Sequence, residues 1–288
     1  MSTIFITGSS SGIGKATAKC FAENGWHVIA TMRTPEKETE LTAYDNIEIY
    51  PLDVTKPEQV KDTIQKVLSK EDVDVLFNNV GYGMKARFED IPEDKIYHSF
   101  EANLLGMIRV TQEFIPYFKK KKGGTILTTT SLAGIIGLPL DGVYAADKWG
   151  LEGLSEMLYF ELMPFNIQVK TLVPGVVKTN FKVDQIPYEG DENVPKNQAK
   201  PTGGPMMATF AGYEDMIRNQ IQLLLPDMND IEEAEEAARD AYEAVTDGNK
   251  DRMCYVTGKV AKELYDKRQE LGDEKFRQYM RNILMPGM

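Results

Sequence analysis

The sequence predicts a single domain of the α/β class, a doubly wound parallel sheet with a helical C-terminal extension. Three observations carry that expectation. Six short apolar runs alternate with helical stripes over residues 3–180. The first run passes directly into a glycine-rich turn and then into a helix. The residues with chemistry to offer stand at the carboxyl ends of the runs, which is the edge along which such sheets bind ligands.

Ile4, Phe5 and Ile6 form the continuous apolar run of a strand buried on both faces. Gly8, Gly12 and Gly14 follow, and Ala16, Cys20 and Phe21 give a helical stripe ending at Asn24 and Gly25. Glycines allow a sharp turn and a close approach to a phosphate, while the helix start adds free N–H groups and a positive dipole end. Bracketed by a strand and a helix, such a turn marks a Rossmann-type dinucleotide site. Residues 27–33 form the second strand. An acid at its end would hold a ribose 2′-hydroxyl, but Met32 and Arg33 stand there, and an arginine accommodates a 2′-phosphate.

Residues 46–55 give a third strand with Asp53 at its end. Thr55 and Glu58 match a capping box, with Pro57 in the first turn, for a helix carrying Val60, Ile64 and Val67. Residues 73–81 form a fourth strand running into Asn78, Asn79 and Gly81. Residues 92–122 read as helix with Asn103 inside, and the lysines at 119–122 suit its C-terminus. A fifth strand delivers Ser131, and a sixth ends at Pro174 and Gly175. Residues 181–225, rich in Pro, Gly and Met, are expected to form a mobile lid over an apolar substrate pocket lined from the other side by residues 132–140. The extension 226–288 should hold an amphipathic helix with an acidic outer face within 227–247, an edge strand near Tyr255, and a charged helix from Lys262 to Arg281.

Composition narrows the function. A net charge of −11 argues against nucleic acid and an anionic membrane surface as partners. Two cysteines, Cys20 and Cys254, do not suggest a disulfide framework, so a reducing cytoplasmic setting is expected. No apolar run approaches the roughly 20 residues of a membrane span, and the strand pattern beginning at residue 3 leaves no room for a signal peptide. His27 and His98 lack a cysteine or acidic cluster at ligand spacing, so no metal site is expected. Ser131 has no histidine partner in view, which disfavours a serine hydrolase.

The stretch 131–148 holds the reaction chemistry. Tyr144 and Lys148 are four residues apart, which on a helix puts phenol and ammonium on one face. Leu151, Leu154, Leu158 and Leu162 supply the stripe of that helix. A nearby cation favours the ionised form of an acid, so Lys148 is expected to lower the pKa of Tyr144 from about 10. A tyrosine so placed donates a proton to a ketone oxygen or accepts one from an alcohol. Ser131, on a separate strand end, is positioned to hydrogen-bond the same oxygen.

With these motifs in order, residues 3–180 resemble the short-chain dehydrogenase/reductase family. T-G-x-x-x-G-x-G stands as Thr7, Gly8, Gly12 and Gly14, N-N-A-G as Asn78, Asn79, Val80 and Gly81, and P-G-x-x-x-T as Pro174, Gly175 and Thr179. The family's catalytic Asn, Ser, Tyr and Lys fall on Asn103, Ser131, Tyr144 and Lys148. The resemblance implies an NADP(H)-dependent oxidoreductase that interconverts a small-molecule carbonyl and an alcohol, with a lipophilic ketone as substrate. It implies cofactor contacts from Gly8, Ser10, Gly12, Ile13, Gly14, Arg33, Asp53, Val54, Asn79, Gly81, Tyr144, Lys148, Pro174, Gly175, Val177 and Thr179. Asp53 would meet the adenine, Thr179 the carboxamide and Lys148 the nicotinamide ribose, with Asn103 supporting a water chain to Lys148. A homodimer or homotetramer through the helices near 100–120 and 145–163 is likewise implied. Two residues depart from the family pattern: Val80 adds volume beside the adenosine, and Asp147 stands where a serine is usual. Such an acid either raises the pKa of Lys148 or faces solvent, and the solvent-facing reading is the one favoured. The rival readings are a non-catalytic dinucleotide sensor, which need not keep Tyr144 and Lys148, and a nucleotide-sugar epimerase or dehydratase, which usually has a different glycine spacing.

Overall fold

Every residue of Thr3–Thr7 is buried, as suits a segment whose apolar side chains must be covered from both sides. This strand, β1, lies near the centre of the sheet in a computed structural model that describes residues 1–186 and 213–287. After it come α1 (Gly12–Glu23), β2 (His27–Met32), β3 (Ile47–Pro51), α2 (Pro57–Leu68), β4 (Val75–Asn78) and a short β5 (Gly83–Lys85). Next are α3 (Glu93–Phe100), α4 (Gly106–Lys121), β6 (Gly124–Thr129), α5 (Gly142–Leu162) and β7 (Ile167–Pro174), then the short β8 (Val177–Lys178) and β9 (Val183–Gln185). The C-terminal part holds α6 (Glu214–Leu224), a short β10 (Glu232–Glu233), α7 (Ala234–Thr246), β11 (Cys254–Thr257) and α8 (Lys259–Leu284).

Seven strands pair in parallel in the order β11-β7-β6-β4-β1-β2-β3, so the winding reverses between β1 and β4. A crevice opens at the carboxyl end of such a reversal. Alternate residues of β1 serve opposite layers. Phe5 packs with Phe114, Phe118 and Val110 of α4 and Leu158 of α5, while Ile4 and Ile6 pack with Phe21 of α1 and Ala241 of α7. The acidic helix of the extension is α7, whose buried side is a row of alanines, Ala237, Ala238, Ala241 and Ala244. Small residues there let α7 lie close against the sheet and α1. β11 is the expected edge strand, and Glu232, pointing inward from β10, accepts a hydrogen bond from the Thr257 hydroxyl at its end.

Four local expectations are refined or corrected. Helix 92–122 forms as expected, with a π turn at Glu101–Leu105 between α3 and α4. No capping box forms at α2, because the backbone N–H and hydroxyl of Thr55 both donate to Asp53 Oδ1, leaving Lys56 as an N-cap without a side-chain bond. Leu132 and Ile136, expected to line a substrate pocket, are buried against α8 in a core cluster that also draws in Met216 and Leu223 of α6. The charged C-terminal helix bends at Gly272, whose φ of 69° lies in the left-handed region. The expected lid, 181–225, falls largely on residues 187–212, outside the described residues.

Candidate active site

The site forms where β1, β4, β6 and β7 end. Beyond Thr7 the chain turns through Gly8 (φ 72°) and Gly12 (φ 56°), a backbone that side-chain-bearing residues avoid. A Cβ on Gly14 would overlap the Gly8 carbonyl and the Asn79 amide, so only glycine lets α1 start this close to the loop. Ser11 precedes α1 without capping it, and no acidic side chain occupies the first turn. The leading N–H groups are thus left to an anion, with exposed Ser10 and half-buried Ile13 beside them.

Asn79, expected to touch the cofactor, uses its side chain to staple the strand ends. Its amide donates to the carbonyls of Thr7 and Gly8 at 3.3 and 3.2 Å, and its Oδ1 accepts from the Thr129 hydroxyl at 3.2 Å. Val80 lies against Gly8. Asp53 is held by Thr55, and Val54 turns its side chain into the core against Gly106. Arg33, one residue past β2, is exposed and makes no ion pair among the described residues. Two lysines of α1 differ: Lys15 pairs with Glu38 at 3.1 Å and Glu40 at 3.0 Å, and Lys19 pairs with Glu40 at 2.5 Å.

Thr179 closes the cradle from the opposite side. After β7, Gly175 hydrogen-bonds Thr257 and packs against Ala261, and β8 pairs with β10, which returns the chain toward the glycine loop. A Cβ built on Gly12 would meet Thr179 Cβ at 3.2 Å. Thr179 therefore lies against the glycine loop, beside the uncapped start of α1.

Tyr144, Lys148 and Ser131 converge as the spacing predicts. Ser131 caps a short turn and accepts from the Ala133 N–H at 3.1 Å. Its hydroxyl lies against the Tyr144 phenol. Tyr144 sits in the first turn of α5, delivered by Leu140, a non-glycine residue at φ 67°. Lys148 Nζ donates to the Thr129 carbonyl at 2.9 Å and lies 5.8 Å from the centre of the Tyr144 ring. It also faces Gly81, where a Cβ would come within 3.5 Å of it. Asn103, fully buried in the π turn, donates to the Tyr82 carbonyl and accepts from the Tyr82 N–H, both at 3.0 Å. π turns recur at functional sites because they displace one residue out of helical register.

Two electrostatic expectations are overturned. Lys148 does not lower the Tyr144 pKa here. Burial raises that phenol well above its usual range, with Asp141 and Asp147 adding to the rise and only Ser131 opposing it. Burial instead lowers Lys148 to about 8, against the upward pull of Asp147 and Glu152. Nor does Asp147 face solvent. It is fully buried, and its Oδ2 accepts from Ser99 at 2.6 Å and Asn103 at 2.9 Å.

Some residues near the site were not singled out from sequence. Phe181 lays its ring edge toward Tyr144, with centroids 6.2 Å apart, and touches Gly83. Glu152, bound to the Thr130 hydroxyl, had a legible signal in its four-residue spacing from Lys148. Lys85 pairs with Asp141 at 2.6 Å, joining β5 to the head of α5. At the amino edge of the sheet the fold also brings Glu48 and Glu71 to 3.6 Å from the two ring nitrogens of His27, a grouping that sequence spacing did not reveal.

The family model for short chain dehydrogenase matches residues 2–189. The chain belongs to the short-chain dehydrogenase/reductase family. It is 38% identical over 218 residues to an oxidoreductase of Botryotinia fuckeliana, covering 74% of this chain and 76% of that one. It is 34% identical over 179 residues to a 3-ketodihydrosphingosine reductase of Bacteroides thetaiotaomicron, covering 62% of this chain and 65%, just under two thirds, of that protein. A solved short-chain dehydrogenase from Streptomyces avermitilis superposes with a TM-score of 0.75 at 27% identity, covering 98% of this chain and 99% of the other. Solved structures that share the fold hold NADP in one case and NADH in another. The chain is thus an oxidoreductase of a family that binds a nicotinamide dinucleotide, and no described helix is long and apolar enough to cross a membrane.

Proposed function

We propose that this oxidoreductase is an NADP(H)-dependent carbonyl reductase or alcohol dehydrogenase with Tyr144 as its acid and base. The convergence of Tyr144, Lys148, Ser131 and Asn103 at the strand ends beside the glycine loop is the observation that carries the reading. The nicotinamide cofactor, when bound, supplies the hydride to the carbonyl carbon. The chain does the rest. Ser131 and Tyr144 donate hydrogen bonds to the carbonyl oxygen, and the Tyr144 proton passes to that oxygen as negative charge develops on it. A phenol whose pKa is raised keeps its proton until this moment. Gly8, Gly12, Gly14 and the start of α1 would hold the pyrophosphate, Lys148 the ribose and Thr179 the carboxamide. Arg33, exposed and without an ion pair among the described residues, would take the 2′-phosphate. The rings of Tyr144 and Phe181 and the relative named for 3-ketodihydrosphingosine both fit a lipophilic ketone. Trp149, Met157, Phe160 and Met163, each at least 40% exposed along and just beyond α5, fit a helix-mediated homodimer or homotetramer.

A panel of lipophilic ketones and aldehydes, scored by consumption of NADPH against NADH, tests this reading. A hydrogen bond to a charged group is worth about 1.5–3 kcal/mol, so NADPH should be preferred roughly tenfold to hundredfold. Arg33→Asp should reverse the preference, because it adds repulsion of the phosphate to the lost contact. Equal affinity of the native protein for both cofactors by calorimetry would count against the assignment.

A further inference from the structure

Among the buried ionisable groups that the chemistry above leaves unused is Asp147, the residue before Lys148. Both of its hydrogen-bond donors converge on Oδ2: the Ser99 hydroxyl from α3 at 2.6 Å and the Asn103 amide from the π turn at 2.9 Å. Its Oδ1 is buried and accepts no hydrogen bond among the described residues. Ser99 and Asn103 are four residues apart, and the Asn103 amide nitrogen also lies 3.2 Å from the Ser99 hydroxyl oxygen. Asp147 therefore joins the C-terminal end of α3, the turn carrying Asn103 and the helix carrying Tyr144. Burial raises the Asp147 carboxyl above the usual carboxylate range, and the two hydrogen bonds and the Lys148 ammonium oppose that rise.

We propose that Asp147 is a positioning residue of the reaction centre: its carboxylate clamps the Asn103 turn onto the Tyr144 helix, and its negative charge holds Lys148 as an ammonium. The inference rests on the reductase reading above. The charged and titratable groups around Asp147 are few. Its own helix contributes Tyr144, Lys148 and Glu152, with Asp141 at the helix head. The other packed elements contribute Ser99, Asn103 and Tyr82, and the Tyr82 ring has His98 at 5.8 Å and Lys182 at 5.7 Å, with Asp184 adding negative charge. Lys148 is thus the cation adjacent to Asp147, and its other carboxyl neighbour, Glu152, is committed to Thr130.

The sign of the effect follows. Burial has brought Lys148 down to about 8, and Asp147 resists that fall. Without the Asp147 charge, Lys148 would lose its proton at lower pH. Tyr144, which Asp147 pushes upward, would also ionise at lower pH. Both changes move the alkaline limb of carbonyl reduction the same way.

The test is the pH profile of NADPH-dependent reduction from about pH 6 to about pH 10 for the native enzyme, Asp147→Asn and Ser99→Ala. Asparagine keeps an acceptor for Ser99 and Asn103 and removes only the charge. Its alkaline limb should move down by about one pH unit, the size expected for one neighbouring charge, with the carbonyl KM little changed. Ser99→Ala keeps the charge and should leave the limb in place. Where Asp147→Asn fails to fold, Asp147→Ser, with the small residue usual at this position in the family, should show the same displacement. A variant profile that is the native curve scaled down, with its limb unmoved, overturns the proposal and leaves Asp147 a purely structural part. The two readings fail separately. A native enzyme that consumes no NADPH, or a Tyr144→Phe enzyme with undiminished turnover, refutes the reductase reading. An unmoved limb in an enzyme that Tyr144→Phe silences refutes the role of Asp147 alone.

Discussion

Lys148 on α5 and Lys170 on β7 are buried to nearly the same extent, 2% and 1% exposed, yet their surroundings are built on opposite plans. Lys170 donates to Asp247 at 2.9 Å and to the Tyr255 hydroxyl at 3.0 Å, and that hydroxyl donates to the other oxygen of Asp247. The Arg252 guanidinium covers the Tyr255 ring at 4.0 Å. Every group there has a charged or hydroxyl partner. Among the described residues Lys148 has one carbonyl, and the two carboxyl groups that act on it are hydrogen-bonded to other residues. A closed ion pair satisfies a buried charge, whereas an under-partnered one is left with a shifted pKa and the ability to act. The difference separates a lysine that holds the C-terminal strand in place from one that the proposed reaction would use.

The largest effect that tests this contrast is on turnover. Tyr144→Phe removes the proposed proton donor while keeping the ring that packs by Phe181. Acid–base groups typically contribute about 10²–10⁴-fold, so kcat should fall by at least that range with cofactor affinity retained. A steady-state assay on any substrate from the panel reads the result, and near-normal turnover would remove the proposed mechanism. Lys170→Met, by contrast, should leave kcat per folded molecule unchanged.

The second effect is on stability and belongs to the other lysine. Lys170→Met leaves Asp247 without its cation. Breaking a buried pair costs about 3–5 kcal/mol, and because Asp247 keeps 16% side-chain exposure the low end, about 3 kcal/mol, is expected. Denaturant unfolding measures it. A loss below about 1 kcal/mol would put the pair in the class of surface ion pairs and erase the contrast drawn here.

How far this contrast could be read from the sequence depends on the distance over which each feature is decided. The strand–turn–helix around Gly8 and the four-residue step from Tyr144 to Lys148 are local, and both appear as expected. The same holds for the doubly wound order, which follows once strands and helices alternate. Lys170 stands inside a buried strand, and its partner lies 77 residues on, beyond any periodicity. The burial of Asp147 is likewise made by Ser99, 48 residues before it, so a charged residue on a helix read as solvated. The pKa of Tyr144 went the other way from expectation because the sequence shows the neighbouring cation and not the desolvation that outweighs it. The π turn at Asn103 and the strained Leu140 depend on tertiary contacts and left no local signal.

The smallest effect is the sharpest test of the comparison, because it sets stability against function in one residue. Burial depresses Lys148 from 10.5 to about 8, so its ammonium costs the folded state roughly 3 kcal/mol wherever both folded and unfolded forms are protonated. That cost is present in full below about pH 8. It is relieved between about pH 8 and the unfolded value near 10.5, where the unfolded chain binds more protons than the folded one. Lys148→Met removes the charge and also the hydrogen bond to Thr129, worth about 1 kcal/mol, so a net gain of about 2 kcal/mol in unfolding free energy is expected at pH 7, together with loss of activity. The gain should shrink as pH rises toward 10. Paired unfolding curves of the native protein and the variant across that range give the slope. A variant that is less stable at pH 7, with a difference independent of pH, would show that Lys148 is as well satisfied as Lys170 and that the two sites are built alike.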